Sequence, residues 1–204
     1  MKHFLLLFCL FLSCYTSKKP TIPDYLALLH EGKTIRVNIL GDSLSQRSRA
    51  FGLQDKLGSS YLVFDYSVEG RNVRDWFFDV NVVLQSRADI ILIELGTNDA
   101  MSLSSEEYKY YILELIQYIQ KRSSAKLVLS TAPLSNMQSL WDVIRTNNSF
   151  IRSLRTDHTI IELENVLIDK EGFSFYPLDD PIHPYPAGYE VLGEVLRKEL
   201  LSLR

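Results

Sequence analysis

Residues 89–95 read DIILIEL, a run that is apolar from Ile90 to Ile93 and again at Leu95. A strand with one face in water alternates apolar and polar residues. A strand that does not alternate has to be covered on both faces, which is the habit of parallel sheets. Parallel neighbours cannot be joined by hairpins, so each strand needs a crossover, usually a helix. This one segment therefore asks the rest of the chain for further strands separated by helices.

The chain supplies them. TIRVNIL (34–40) alternates, with Ile35, Val37 and Ile39 apolar. YLVFDYSV (61–68), AKLVLST (125–131) and HTIIEL (158–163) complete five expected strands. Between them, SSEEYKYYILELIQYIQKR places Tyr108, Tyr111, Ile112, Leu115, Ile116 and Ile119 on one helical stripe. Ser104 or Ser105 with Glu107 offers an N-cap and early acidic residues. Residues 71–86 and 137–155 also read as helices. The last helix carries Leu192, Val195, Leu196 and Leu200 on one stripe and has Pro186 in its first turn. Strands alternating with helices imply an α/β fold, a parallel sheet with helices on both faces.

In such sheets ligands bind beyond the carboxyl ends of the strands. The first strand is followed by Gly41-Asp42-Ser43, the second by Ser67-Val68-Glu69-Gly70, the third by Gly96-Thr97-Asn98-Asp99. Asp180-Pro181-Ile182-His183 stands just before the final helix. Together these residues can perform acyl transfer. A serine hydroxyl needs a base to take its proton, and histidine is the usual one. The base needs a carboxylate to fix its tautomer. Asp180 and His183 are spaced to meet within one tight turn, which Pro181 restricts and Pro184 ends. The amides of Ser43 and Gly70 and the side chain of Asn98 are candidate donors to an oxyanion. Read singly, each group is an ordinary turn by composition; their joint order is what points to chemistry. Trp76, Phe77 and Phe78 read as core or helix packing, which an acyl pocket could also use, Asp42 as structural, and Asp99 as orienting its own loop.

The blocks G-D-S, a later glycine, G-x-N-D and D-x-x-H, in this order over residues 34–204, resemble the SGNH/GDSL hydrolases. The resemblance implies a flavodoxin-like three-layer α/β/α sandwich around a central parallel sheet. It implies a nucleophile at Ser43, an acid and base at Asp180 and His183, and an oxyanion hole from Ser43, Gly70 and Asn98. The implied activity is hydrolysis of carboxylic esters: lipid, lysophospholipid or acetylated glycan. No cofactor and no metal is implied. Block two departs from the family pattern, with Asp65 and Tyr66 where an asparagine is usual.

The N-terminus adds a location. MKH is followed by FLLLFCLFLS, too short to span a bilayer but suited to the core of a secretory signal. Ser13-Cys14 resembles a bacterial lipobox, with Phe11 where leucine is usual. The expected organisation is a signal peptide over 1–13, a lipidated Cys14 and tether over 14–33, and the hydrolase domain over 34–204. That implies export and a lipid anchor in the bacterial cell envelope, or a periplasmic or secreted protein without it. Removal of Cys9 with the signal would leave Cys14 as the one cysteine.

Other classes fit poorly. The net charge of −3 offers no surplus for binding nucleic acid. The elbow of α/β-hydrolases needs glycine two residues after the serine, where this chain has Ser45. Dinucleotide and P-loop glycine patterns are missing, and two histidines beyond residue 30 do not make a zinc site. The rival from another class is an inactive envelope lipoprotein that uses the same fold as a binding module.

Overall fold

The computed structural model describes residues 34–168 and 174–203. The expectations placed on residues 1–33, including lipidation at Cys14, lie outside the described residues. Five strands form one sheet: β1 (Ile35–Gly41), β2 (Tyr61–Asp65), β3 (Ile90–Glu94), β4 (Lys126–Ser130) and β5 (Thr159–Ile161). Their order is β2-β1-β3-β4-β5 and every pairing is parallel. In β3, Ile90 and Leu92 point to one core and Ile91 and Ile93 to the other, so the unalternating run is buried on both faces.

The helices are α1 (Ser43–Arg47), α2 (Leu53–Leu57), α3 (Val73–Asp79), α4 (Asn81–Leu84), α5 (Thr97–Ser102), α6 (Ser105–Gln120), α7 (Trp141–Ser153) and α8 (Pro186–Leu201). One core packs α1, α2 and α8 on the sheet through Leu44, Leu53, Leu57, Leu192, Leu196 and Leu200. The opposite core packs α3, α4, α6 and α7 through Trp76, Val83, Ile112, Leu115 and Ile151. The result is the three-layer α/β/α sandwich. Helix α6 starts with a capping box between Ser104 and Glu107, as its sequence implies.

Several elements differ from expectation. Residues 71–86 form two helices that meet at Val80 rather than one. GTND is not a simple turn: Thr97 to Asp99 open α5. Residues 43–57, without apolar periodicity, nonetheless form α1 and α2. Between these two helices Arg49, Ala50 and Phe51 all take positive φ, followed by Gly52. Left-handed backbone costs a non-glycine residue roughly 1–2 kcal/mol, and packing enforces it here. Ala50 and Phe51 are buried, and the Phe51 carbonyl lies against Gly193 of α8, where a Cβ would come within 2.4 Å of it. Of the three aromatics expected in core or helix packing, Trp76 lies in the core, Phe77 packs against Tyr111 and Tyr118 of α6, and Phe78, 67% exposed, rests on Phe77.

The order β2-β1-β3 puts a topological switch point between β1 and β3, where the chain winds outward in both directions. The segments after β1, β2 and β3 all leave at that edge. A pocket lined by Gln120, Lys126, Arg155 and His158 opens at the starts of β4 and β5, the other end of the sheet, and contains none of the candidate site residues.

Candidate active site

Ser43 is the first residue of α1 and is 5% exposed. Asp42 caps the helix: its Oδ1 accepts the Leu44 N–H at 2.8 Å. Ser43 Oγ lies 2.8 Å from His183 Nε2. His183 Nδ1 lies 2.9 and 2.8 Å from the two oxygens of Asp180. A carboxylate only accepts, so Nδ1 carries the proton and Nε2 presents a lone pair to the serine hydroxyl.

The D-x-x-H turn holds itself in shape. Asp180 Oδ1 also accepts the amides of Ile182 (3.2 Å) and His183 (3.0 Å). Burial works to raise the Asp180 carboxyl, but the His183 amide and imidazole and the Ile182 amide outweigh it and hold it below its ordinary value. It therefore stays anionic beside the imidazole. The turn is moored by the Asn136 N–H, which donates to the Pro181 carbonyl at 2.8 Å. Tyr176 Oη donates to the Leu134 carbonyl at 2.9 Å, tying the approach to the same loop.

Gly70 lies on the exposed loop after β2 with φ of 79° and no atom within 4 Å of where a Cβ would sit. Positive φ is where glycine is favoured. Its amide has no acceptor among the described residues. Asn98, on α5, gives one amide hydrogen to the Arg71 carbonyl at 3.0 Å and has a longer 3.4 Å contact to Asp42 Oδ2. The amide of Ser43, at the first helical position, has no acceptor inside its helix. Ser43, His183 and Asp180 are thus in direct contact. Asn98 is tied to the cap of α1 through Asp42 and, through the Arg71 carbonyl, to the loop that carries Gly70, whose own amide makes no contact with the other four among the described residues.

Residues 39–191 match the family model described as GDSL-like lipase/acylhydrolase. The chain belongs to this family. All five candidate residues fall inside the matched span, and several solved structures share the fold. A member of the lipolytic G-D-S-L family from Veillonella parvula is 15% identical, with a TM-score of 0.70, covering 81% of this chain and 97% of its own. The psychrotrophic esterase EstA from Pseudoalteromonas, solved with monoethylphosphonate as inhibitor, is 18% identical, with a TM-score of 0.68 and coverage of 82% and 97%. The acetylxylan esterase Axe2 from Geobacillus stearothermophilus, solved as a catalytic mutant, is 14% identical, with a TM-score of 0.71 and coverage of 83% and 95%. No curated protein matches the chain.

Near Ser43 lies a group of buried carboxyls, of which Glu94 is not singled out by any motif in the sequence. Glu94 ends β3, directly opposite Gly41 of β1. It is 1% exposed and accepts the Ser45 hydroxyl at 2.7 Å. Burial raises it to about 7, against the Ser45 hydrogen bond. Asp42 is raised well above its ordinary value by burial and by Glu94, against the Leu44 amide. Burial lifts Asp99 to about 7 as well. Asp99 does more than orient its own loop: its Oδ1 accepts the Val73 N–H at 2.8 Å and pins the start of α3. Glu94 was visible as the one charge in the apolar run from Ile90 to Leu95, a position where a carboxyl must find a buried partner. Among the described residues, no cluster of three or more His, Cys, Asp or Glu side chains is arranged to hold a metal ion.

Proposed function

We propose that this chain is a serine esterase that hydrolyses carboxylic ester bonds through an acyl-enzyme on Ser43. The observation that carries the reading is the run of contacts from Ser43 Oγ to His183 Nε2 (2.8 Å) and from His183 Nδ1 to Asp180 (2.8 Å). Ser43 Oγ attacks the ester carbonyl carbon while His183 Nε2 takes its proton. Asp180 keeps the imidazole oriented and stabilises its charged form. The carbonyl oxygen becomes an oxyanion, met by the Ser43 and Gly70 amides and by Asn98 Nδ2. The carbon–oxygen bond to the alcohol then breaks, and the imidazolium returns its proton to the leaving alkoxide. Water repeats the sequence on the acyl-serine: His183 takes its proton, the acid leaves, and Ser43 regains its hydrogen.

The substrate class is an ester of a lipid, a lysophospholipid or an acetylated glycan. Val68, Met101, Leu178 and Tyr185 are exposed apolar side chains in the segments that carry the site residues, which suits an ester with an apolar acyl part. The acetylxylan esterase among the structural neighbours favours including an acetylated glycan among the tests. We also propose that the chain is exported and anchored by lipid at Cys14. Labelling with radioactive palmitate in a bacterial host, lost in Cys14→Ala, is the expected result; equal labelling of both forms refutes the anchor.

A series of p-nitrophenyl esters of increasing chain length, run beside an acetylated glycan, tests the activity. The wild type is expected to cleave at least one, and Ser43→Ala to lose about 10³-fold or more. A wild type that cleaves none of them, with substrate still bound, would leave the fold as a binding module.

A further inference from the structure

The loop that presents Gly70 is poorly held by packing. Val68 is 38% exposed, and Glu69 and Gly70 are exposed as well. Yet an oxyanion donor has to be fixed to a fraction of an ångström to work. Part of its support comes from below, where the Val68 N–H reaches the Gly41 carbonyl at 3.3 Å. The Arg71 N–H closes the turn onto the Val68 carbonyl at 3.3 Å, and Asn98 holds the Arg71 carbonyl at 3.0 Å. On the Glu69 side, support comes from two consecutive residues of α1. The Glu69 N–H donates to Gln46 Oε1 at 2.7 Å. The Glu69 carboxylate pairs with Arg47 Nη2. The residue next to Gly70 is thus gripped at its backbone and at its side chain by the helix that begins with Ser43.

Arg47 has a second arm. Its Nη1 lies 3.4 Å from Asp180 Oδ2, one of the two oxygens that face His183 Nδ1. One guanidinium therefore spans the oxyanion loop and the acid of the triad. The planar fork of arginine suits this, because its two terminal nitrogens engage separate carboxylates at fixed separation.

We infer that Arg47, with Gln46, is a positioning residue that locks Glu69 and the Gly70 amide to the nucleophile helix and ties that loop to Asp180. This rests on the esterase reading given above. Exposed ion pairs contribute little to stability, and Arg47 is 41% exposed at its side chain. Its loss should therefore be felt in the transition state, where the oxyanion exists, rather than in folding or in substrate binding.

The experiment measures kcat and KM for p-nitrophenyl acetate in the full chain and in Arg47→Ala, Arg47→Lys, Glu69→Ala, the Arg47→Ala/Glu69→Ala double variant and Gln46→Ala/Arg47→Ala. Arg47→Ala and Glu69→Ala are each expected to lower kcat about tenfold with KM within about twofold of wild type, a fraction of the loss for a whole oxyanion donor. Their double variant should fall no further than Arg47→Ala alone, because Arg47→Ala already removes the contact that Glu69→Ala removes. Arg47→Lys should recover part of the loss, as it restores the charge but not the fork. Removing both grips with Gln46→Ala/Arg47→Ala should approach a loss of about 100-fold, the cost of one missing donor. Melting temperatures should stay within about 3 °C of wild type. An unchanged kcat in Arg47→Ala, losses that multiply in the Arg47/Glu69 double variant, or a raised KM with kcat intact would each overturn the inference. A wild type without ester hydrolysis would instead overturn the esterase reading on which it stands.

Discussion

His183 Nε2 and Ser43 Oγ meet at 2.8 Å across 140 residues of sequence. One comes from the first turn after β1, the other from the turn before the last helix. Their meeting depends on parts of the fold that carry no chemistry. Helix α8 follows His183 and packs closely on the turn after α1, with Gly193 against the Phe51 carbonyl. The two halves of the site are registered by that approach.

Asn98 is held by the Arg71 carbonyl at 3.0 Å, with a second hydrogen only loosely engaged by Asp42. A donor aimed at charge that develops during the reaction affects kcat more than KM. Asn98→Ala is expected to lower kcat by about 10²–10³-fold with KM little changed. Steady-state kinetics on a p-nitrophenyl ester check this, and an unchanged kcat removes Asn98 from the oxyanion hole.

Gly41 is required for room. It ends β1 without positive φ, but a Cβ there would come within 2.5 Å of Ser45 Oγ and 2.8 Å of Ser67 Oγ. Ser45 is committed to Glu94 and fully buried, so it has little freedom to move aside. Gly41→Ala is expected to destabilise the fold by about 1–3 kcal/mol, as overpacking does. It should also disturb Ser43, two residues on. Urea denaturation measures the first and ester hydrolysis the second.

Glu94 makes stability depend on pH. Its carboxyl stands at about 7 in the fold against an ordinary 4.5. The folded state therefore holds this proton more tightly than the unfolded chain. Stability from this group is highest below 4.5 and falls as the pH rises through about 7. Glu94→Gln keeps an acceptor for Ser45 but cannot ionise. Wild type should lose up to about 3 kcal/mol relative to Glu94→Gln between about pH 4 and pH 8. Denaturation midpoints across that range check it, and parallel pH curves for the two proteins contradict it.

Much of this architecture was legible in the residues because it is periodic. Ile90 to Ile93 demanded two covered faces, and the Tyr108–Ile119 stripe demanded one core. The meeting of the D-x-x-H and G-D-S residues was legible because the chemistry proposed for them needs particular side chains in a particular order. What stayed hidden was set by tertiary contact. Helix α1 is five residues of SLSQR, held by the Asp42 cap and buried Leu44 rather than by apolar spacing. The left-handed Arg49–Phe51 run has no local signal, since non-glycine residues enter it only when packing forces them. Taken singly, GTND has the composition of a turn, because glycine and asparagine favour turns; Asp99 instead sits in the first turn of α5, where the helix dipole favours an acid. Gln46 and Arg47 lie three and four residues after Ser43, on the same face once a helix is assumed, but nothing in the sequence announces their grip on Glu69.

The central claim is that Ser43 is a nucleophile activated by His183. Its most direct measurement is the mass of the Ser43 peptide after treatment with a fluorophosphonate probe, in wild type, Ser43→Ala and His183→Ala. The account predicts one phosphonyl adduct on Ser43 in the wild type, no adduct in Ser43→Ala, and labelling slowed by about 10³-fold in His183→Ala. An unlabelled wild type, or an adduct that persists in Ser43→Ala, contradicts it.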